Sequence, residues 1–294
     1  MPRSLSQRLP DGRLHLQDGP IDLIIEAFGD AAEIAGAYVA AERRFASVLD
    51  ELCGELGLLR AEAGTAGRPR GVVARRMLDA VLPYAAGGFI TPVAAVAGAV
   101  AEEILGAMQA AAVLSRAYVN NGGDIALHLS PGTRFAVGMV DRPDRPSLFG
   151  TAEIAAGDAV RGIATSGRRG RSFSLGIADA VTVLAGSAAA ADAAATVIAN
   201  AVDLPGHPGI ARRAAADLDP QSDLGQRPVT VAVAPLAETE VERALLRGAA
   251  AAQELQDRGL VAATALHLQG RTKLVAAGGT RRIAARQEVF HAVG

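Results

Sequence analysis

The sequence predicts an α+β fold in which mixed or antiparallel sheets pack against long helices. Three observations carry that expectation. A stretch of about thirty residues after Asp30 repeats its apolar side chains at helical spacing. The centre of the chain instead breaks into short strand-like runs separated by Gly, Pro and Asp turns. Strands and helices nowhere alternate in the regular βαβ rhythm of a doubly wound parallel sheet.

The elements follow in order. Alternation in Arg13-Leu14-His15-Leu16 and the run Ile21 to Ile25 give two strands joined at the Asp18-Gly19-Pro20 turn. Asp30 is placed to cap a helix reaching Leu59, whose Ile34, Tyr38, Phe45, Val48, Leu49, Leu52 and Leu56 share one face. A Gly/Arg/Pro-rich loop from Gly64 to Gly71 precedes a helix over Val72 to Leu82. After a break at Pro83 to Pro92, a Gly- and Ala-rich helix runs from Val93 to Ala112. Strands are then expected at Leu114–Val119, Ile125–Leu129, Phe135–Val140, Phe149–Ile154, Val160–Ala164 and Val181–Leu184, before a helix from Ala188 to Val202. Leu204 to Pro228 is polar and reads as irregular. A strand at Val229–Val233, a helix from Glu238 to Arg258, and strands near Val261–Leu268 and Lys273–Ala276 complete the chain. With no repeat, linker or compositional boundary, residues 1–294 read as a single domain.

The core is built from small aliphatic residues: half the chain is hydrophobic, yet aromatics make up only 3% and Trp is absent. Such a core lets helices approach a sheet closely but offers few rings for stacking a base. A formal charge of -2 argues against a nucleic-acid surface, which needs clustered excess Lys and Arg. Cys53 is the only cysteine, which excludes an intrachain disulfide and a cysteine metal cage, and its leucine neighbours suggest a small core residue. MPRSLSQRLPDGR has no apolar segment of signal-peptide type. The longest apolar stretch, Val93 to Leu114, carries adjacent Glu102 and Glu103, which a membrane span rarely tolerates. The expectation is a soluble, cytoplasmic protein with no nucleic-acid or membrane partner.

Three segments could carry chemistry. In the first, Asn120, Asn121, Gly122, Gly123 and Asp124 pair a flexible backbone with amide and carboxylate groups, though the same residues also spell an ordinary hairpin turn. In the second, Thr165, Ser166 and Gly167 end a strand and lead into Arg168, Arg169 and Arg171. Hydroxyls, backbone N–H groups and guanidinium groups could hold an anion there, or the arginines could be solvated. In the third, Asp192 and Thr196 lie four residues apart on one helical face, two oxygen donors of the kind Mg²⁺ takes. Asp near a helix start is equally ordinary for dipole reasons. The histidines His15, His128, His207, His267 and His291 show no metalloprotease or triad spacing, and Ser166 reads as a hydrogen-bonding residue. The polar segment around His207, with Arg212, Arg213, Asp217, Asp219 and Asp223, could close over a ligand or simply be solvated.

Together, Asn121-Gly122-Gly123-Asp124, Ala164-Thr165-Ser166-Gly167 and Ala191-Asp192-Ala193-Ala194-Ala195-Thr196 resemble the ordered motifs of the ApbE family, the FAD:protein FMN transferases. The resemblance implies an ApbE-like, T-fold-related architecture. It also implies Mg²⁺ bound with help from Asp192 and Thr196, and a cleft for a flavin- or pterin-like ligand lined by Asn121 to Asp124. Two departures matter. Transferases of this type carry Gly-Ile-Ala-Lys-Gly where this chain reads Ala94-Ala95-Val96-Ala97-Gly98, without lysine. They also carry His-x-x-Asp-Pro-x-x-Gly after Thr-Ser-Gly, where this chain has Ser172-Phe173-Ser174-Leu175-Gly176. The chain looks closer to an uncharacterised ApbE-like branch of archaea and bacteria, which it resembles in Gly19-Pro20-Ile21-Asp22-Leu23, Ser222-Asp223-Leu224-Gly225 and Leu268-Gln269-Gly270. Some members of that branch resemble products of genes associated with tetrahydromethanopterin-linked one-carbon metabolism. Two expectations follow. One is a Mg-dependent enzyme acting on a phosphorylated flavin- or pterin-like heterocycle, but not a standard FMN transferase. The other is a non-catalytic binding or accessory protein.

Overall fold

A computed structural model describes residues 4–140, 148–276 and 283–285. Its centre is a nine-stranded sheet, antiparallel at every pairing. In spatial order the strands are β1 (Leu5–Arg8), β2 (Leu14–Asp18), β3 (Ile21–Phe28), β4 (Arg116–Asn121), β5 (Asp124–Leu129), β8 (Gly162–Ser166), β9 (Ala180–Ala185), β12 (Ala263–Leu268) and β13 (Arg271–Ala276). Hairpin β6 (Arg134–Val140) and β7 (Leu148–Ala155), with β14 (Ile283–Ala285), forms a separate three-stranded sheet. A third, two-stranded sheet pairs β10 (Ile210–Ala214) with β11 (Pro228–Val233).

The helices are α1 (Ala31–Gly54), α2 (Leu56–Leu59), α3 (Val72–Val81), α4 (Val96–Ala111), α5 (Ala188–Ala201), α6 (Ala215–Leu218) and α7 (Glu238–Asp257). Helices α1, α3, α4, α5 and α7 pack their apolar faces into one core with residues from the sheet. Among its fully buried members are Leu14, Leu23 and Ile25, Tyr38 and Phe45, Ile104 and Met108, and Ile198. The Tyr38 hydroxyl accepts the Ala27 N–H at 3.2 Å, tying α1 to β3. A second, smaller core joins Leu127 and Leu129 of β5, Ile163 of β8, Leu184 of β9 and Ala265 of β12 to Met139, Ala152 and Ile154 of the β6–β7 hairpin. Strands β9 and β12 are therefore buried at every position, whereas β2 and β3 alternate between buried and half-buried residues.

The expected elements are present, with several differences. The helix expected to reach Leu59 breaks at Glu55 and resumes as α2. Asp30 stands at the α1 N-cap in extended backbone without a side-chain capping bond. The helix expected from Val93 opens with a 3-10 turn over Pro92–Ala95 before α4 begins. The segment from Leu204 to Pro228, expected to be irregular, contains β10 and α6, because β10 pairs with a strand distant in sequence. Cys53, expected in the core, is exposed, since the buried face of α1 is set by Val48 and Leu52. His291 lies outside the described residues.

The apolar stretch Pro92–Ala111 has the length and composition of a membrane span, but here it forms a core helix. Its two carboxylates have structural partners. Glu103 pairs with Arg44 at 2.7 Å and Arg76 at 2.9 Å, while Glu102 pairs with Arg76 at 3.1 Å and accepts the Ala189 N–H at 2.7 Å.

Candidate functional site

The Asn-Gly-Gly-Asp segment is a hairpin turn. Asn121 and Asp124 face each other at the end of the β4–β5 ladder, so Gly122 and Gly123 form a two-residue turn. Both have positive φ, +66° and +116°, which glycine tolerates without a Cβ clash. Asn120 Oδ1 accepts the Gly123 N–H at 2.8 Å and stiffens the turn. The side chain of Asn121 is buried and donates to the Ala97 carbonyl at the start of α4, 3.2 Å away.

This turn projects Asp124 across to the end of β8, where its Oδ1 accepts the Thr165 N–H at 3.1 Å. The Thr165 hydroxyl lies 2.9 Å from that of Thr182 on β9. Ser166 is half-buried opposite Val181 at the end of the β8–β9 ladder. Gly167 follows at φ +147°, where a Cβ would fall 2.6 Å from the Asp179 carbonyl oxygen.

Asp192 enters from α5. Its Oδ2 accepts the Gly98 N–H at 3.1 Å, and the Ala97 N–H also stabilises its charge. Helices α4 and α5 approach so closely that a Cβ on Gly98 would lie 2.2 Å from the Ala188 carbonyl oxygen. The clamp is reciprocal: α4 donates to Asp192, and one turn later Glu102 accepts from Ala189 in the first turn of α5. Thr196 sits one turn beyond Asp192 and is half-buried.

Both carboxylates are surrounded by protein yet keep part of their surface accessible. Burial pushes Asp124 up to about 7, against the opposing pull of the Thr165 N–H and the Arg171 guanidinium. Burial also pushes Asp192 well above the carboxylate range, and the charge of Asp124 raises it further. Two acids thus share a site, and the charge of Asp124 makes ionisation of Asp192 more costly. Among the described residues, no group of three or more His, Cys, Asp and Glu side chains forms a metal cluster.

The arginines after Thr165 divide their roles. Arg168 and Arg169 both pair with the buried Asp179, at 2.6 Å and 2.8 Å, and so brace the loop between β8 and β9. Exposed Arg171 lies against the turn, its Nη2 2.9 Å from where a Gly122 Cβ would stand. Sequence alone does not rank these arginines, and the position of Asp179 separates them. The proximity of Asp124 to Asp192 has no signal in the sequence, because the two lie far apart in the chain and meet only through packing of β5, β8 and α5. The remaining described histidines hold local contacts, His15 to Asp22 at 2.9 Å and His128 to Gln109 at 2.7 Å among them.

A protein-family model described as AbpE bacteria matches residues 6–274. A UPF0280 protein of Methanosphaerula palustris is 39% identical over 140 residues, covering 44% of this chain and 52% of that protein. A UPF0280 protein of Methanopyrus kandleri is 41% identical over 129 residues, covering 44% and 48%. The matched region thus spans about half the length of these relatives. Among solved structures, the apo flavinyl transferase ApbE of Pseudomonas stutzeri is 12% identical, with 92% and 93% of the two chains covered and a TM-score of 0.44. The flavin transferase ApbE of Vibrio cholerae is 15% identical, with 94% and 97% covered and a TM-score of 0.36.

Proposed function

The chain belongs to the AbpE bacteria family, and from that premise we propose a Mg²⁺-dependent enzyme acting on a phosphorylated flavin- or pterin-like heterocycle, outside the standard FMN-transfer reaction. The observation that carries this reading is the juxtaposition of the half-buried Asp124 and Asp192, whose charges repel. A divalent cation relieves that repulsion, and carboxylate and hydroxyl oxygens suit Mg²⁺, which keeps several non-protein ligands. Asp192 and Thr196 would hold it, with Asp124 facing them. Bound Mg²⁺ supplies neutralisation of phosphate oxygens and orientation of a displacement.

The chain's own groups have separate tasks in this reading. Asn120, Asn121, Gly122 and Gly123 line the ligand cleft through a turn whose lack of side chains allows close approach. Arg171 attracts an anionic group toward that turn, and the Thr165 and Ser166 region offers hydroxyls beside it. Arg168 contributes by holding the β8–β9 loop against Asp179. Asp124, titrating at about 7, can hold or release a proton at neutral pH. The ligand is a small molecule in the cytoplasm, with no role for nucleic acid or a membrane.

A second reading, a binding or accessory protein linked to tetrahydromethanopterin-type one-carbon metabolism, is favoured by one observation. The first turn of α4, Val96 to Ala99, holds Asp192 through backbone alone and supplies no charged side chain to the cleft. Transfer and binding are separable by experiment. Incubated with FAD, Mg²⁺ and a flavin-acceptor protein, the chain should form no covalent flavin adduct at an appreciable rate. Calorimetry with FMN should show Mg²⁺-dependent binding that Asp192→Ala abolishes and Thr196→Val weakens less. Undiminished Mg²⁺ dependence in Asp192→Ala would reduce Asp192 to a helix-terminal aspartate.

A further inference from the structure

A polar concavity lies between the loop that follows α5 and the first half of α7. It measures about 260 Å³ and is lined by Leu204, Pro205, Gly206, His207, Arg243 and Arg247. Arg243 and Arg247 are one helical turn apart, so their guanidinium groups leave α7 along the same strip. That strip is fixed, because Val241, Ala244, Leu245 and Ala252 bury the opposite face of the helix.

The charges around α7 are unevenly spent. Glu238 pairs with Arg271, Glu242 with Lys273 at 2.8 Å, and Glu254 with Arg258 at 3.6 Å. Glu240 accepts from His207 Nε2 at 2.9 Å and from the Ala237 N–H at the helix start, also at 2.9 Å. Among the described residues, no carboxylate comes within the 4.0 Å of an ion pair with Arg243 or Arg247. His207 is a wall of the concavity, with both ring nitrogens in use. Its Nδ1 accepts the Gly209 N–H at 3.1 Å, which leaves the ring proton on Nε2 for Glu240. Opposite the arginines, Gly206 turns at φ +77° with no atom within 4 Å of where a Cβ would stand, so the backbone there is open.

We propose that this concavity is an anion site for a phosphoryl group, gripped by Arg243 and Arg247. Paired guanidinium groups present planar forks of N–H donors that match phosphate oxygens. The volume suits a phosphoryl group with a few further atoms, while Leu204 and Pro205 give an attached organic group an apolar surface. The site is independent of the carboxylate cleft. Asp192 stands ten residues before Val202, a separation of about 15 Å along α5 at the helical rise. The proposal holds whatever the cleft binds.

The test uses the full chain in EDTA, so that no divalent cation recruits phosphate to Asp124 and Asp192. Calorimetry or phosphorus NMR titration with inorganic phosphate and with ribose 5-phosphate should show saturable binding at low ionic strength. Arg243→Gln/Arg247→Gln should weaken it by about tenfold or more, with an unchanged thermal midpoint. Arg271→Gln, which removes an already paired surface arginine, should leave it intact. Tighter binding of the ester identifies a phosphorylated metabolite, and equal binding identifies free phosphate; either supports an anion site. Absence of saturable binding by both probes, or equal binding by the double variant, overturns the proposal.

Discussion

Burial of the neighbouring Asp124 and Asp192 makes stability depend on pH in a defined direction. In the folded chain Asp124 titrates at about 7, against 3.8 for an unperturbed side chain. Between those values the folded state binds more protons than the unfolded state, so stability falls as pH rises through the window. Asp192 is shifted the same way and adds to the effect. Thermal midpoints measured in EDTA should therefore decline from about pH 5 to pH 8, and Asp124→Asn should flatten the decline while raising the alkaline midpoint. Added Mg²⁺ should restore the wild-type midpoint at the alkaline end, because it favours the ionised acids. A midpoint that rises across that range would mean that burial does not hold these two acids in their protonated form. Single residues were unevenly legible in the sequence. Helical spacing put Asp192 beside Thr196, but it could not supply Asp124, which arrives on another element. It also could not tell Arg168 and Arg169, held by Asp179, from Arg171 at the turn.

At the scale of elements, the approach of α4 to α5 positions Asp192, and two glycines of α4 test it. A methyl group at Gly98 would meet the Ala188 backbone at 2.2 Å, whereas at Gly106 it meets nothing within 4 Å. Gly98→Ala should destabilise the protein by about 3 kcal/mol or more, since backbone must separate from backbone. Gly106→Ala should stabilise it by about 0.5–1 kcal/mol through helix propensity and unfolded-state entropy. Urea denaturation distinguishes the two, and equal effects would mean that the helices are not in contact at Gly98. Most elements were legible because their apolar period is local: every other residue of β2 and β3 is buried, and α1 buries one face. Strand β1 was not, because all four of its residues are exposed and leave no pattern. Strand β10 is illegible for a related reason, as it owes its form to distant β11 rather than to its own composition.

Across the whole molecule, β5, β8, β9 and β12 contribute to the smaller core, while β8 and β9 also supply Ala164, Val181 and Val183 to the helical core. Neither core can be exposed without disturbing strands that the other needs. Unfolding in urea should accordingly be a single transition, with far-UV circular dichroism and tyrosine fluorescence coincident. The fluorescence is informative because the chain has no Trp and its tyrosines report both regions: Tyr38 and Tyr84 lie in the helical core, and Tyr118 packs beside the smaller one. Separate midpoints would divide the chain into two units. The sheet order also has a kinetic meaning. The β2–β3, β4–β5 and β12–β13 hairpins close over short turns, but β3 meets β4 only when Leu23 pairs with Asn121, nearly a hundred residues away. Long-range ladders of this kind are slow to close, because chain entropy is lost before contacts reward it. Asn121 belongs to that ladder and Asp124 to the strand beside it, so the local hairpins can nucleate early while the cleft is completed among the last parts of the fold. During synthesis, the first three strands must wait with one sheet edge unpaired until β4 has left the ribosome.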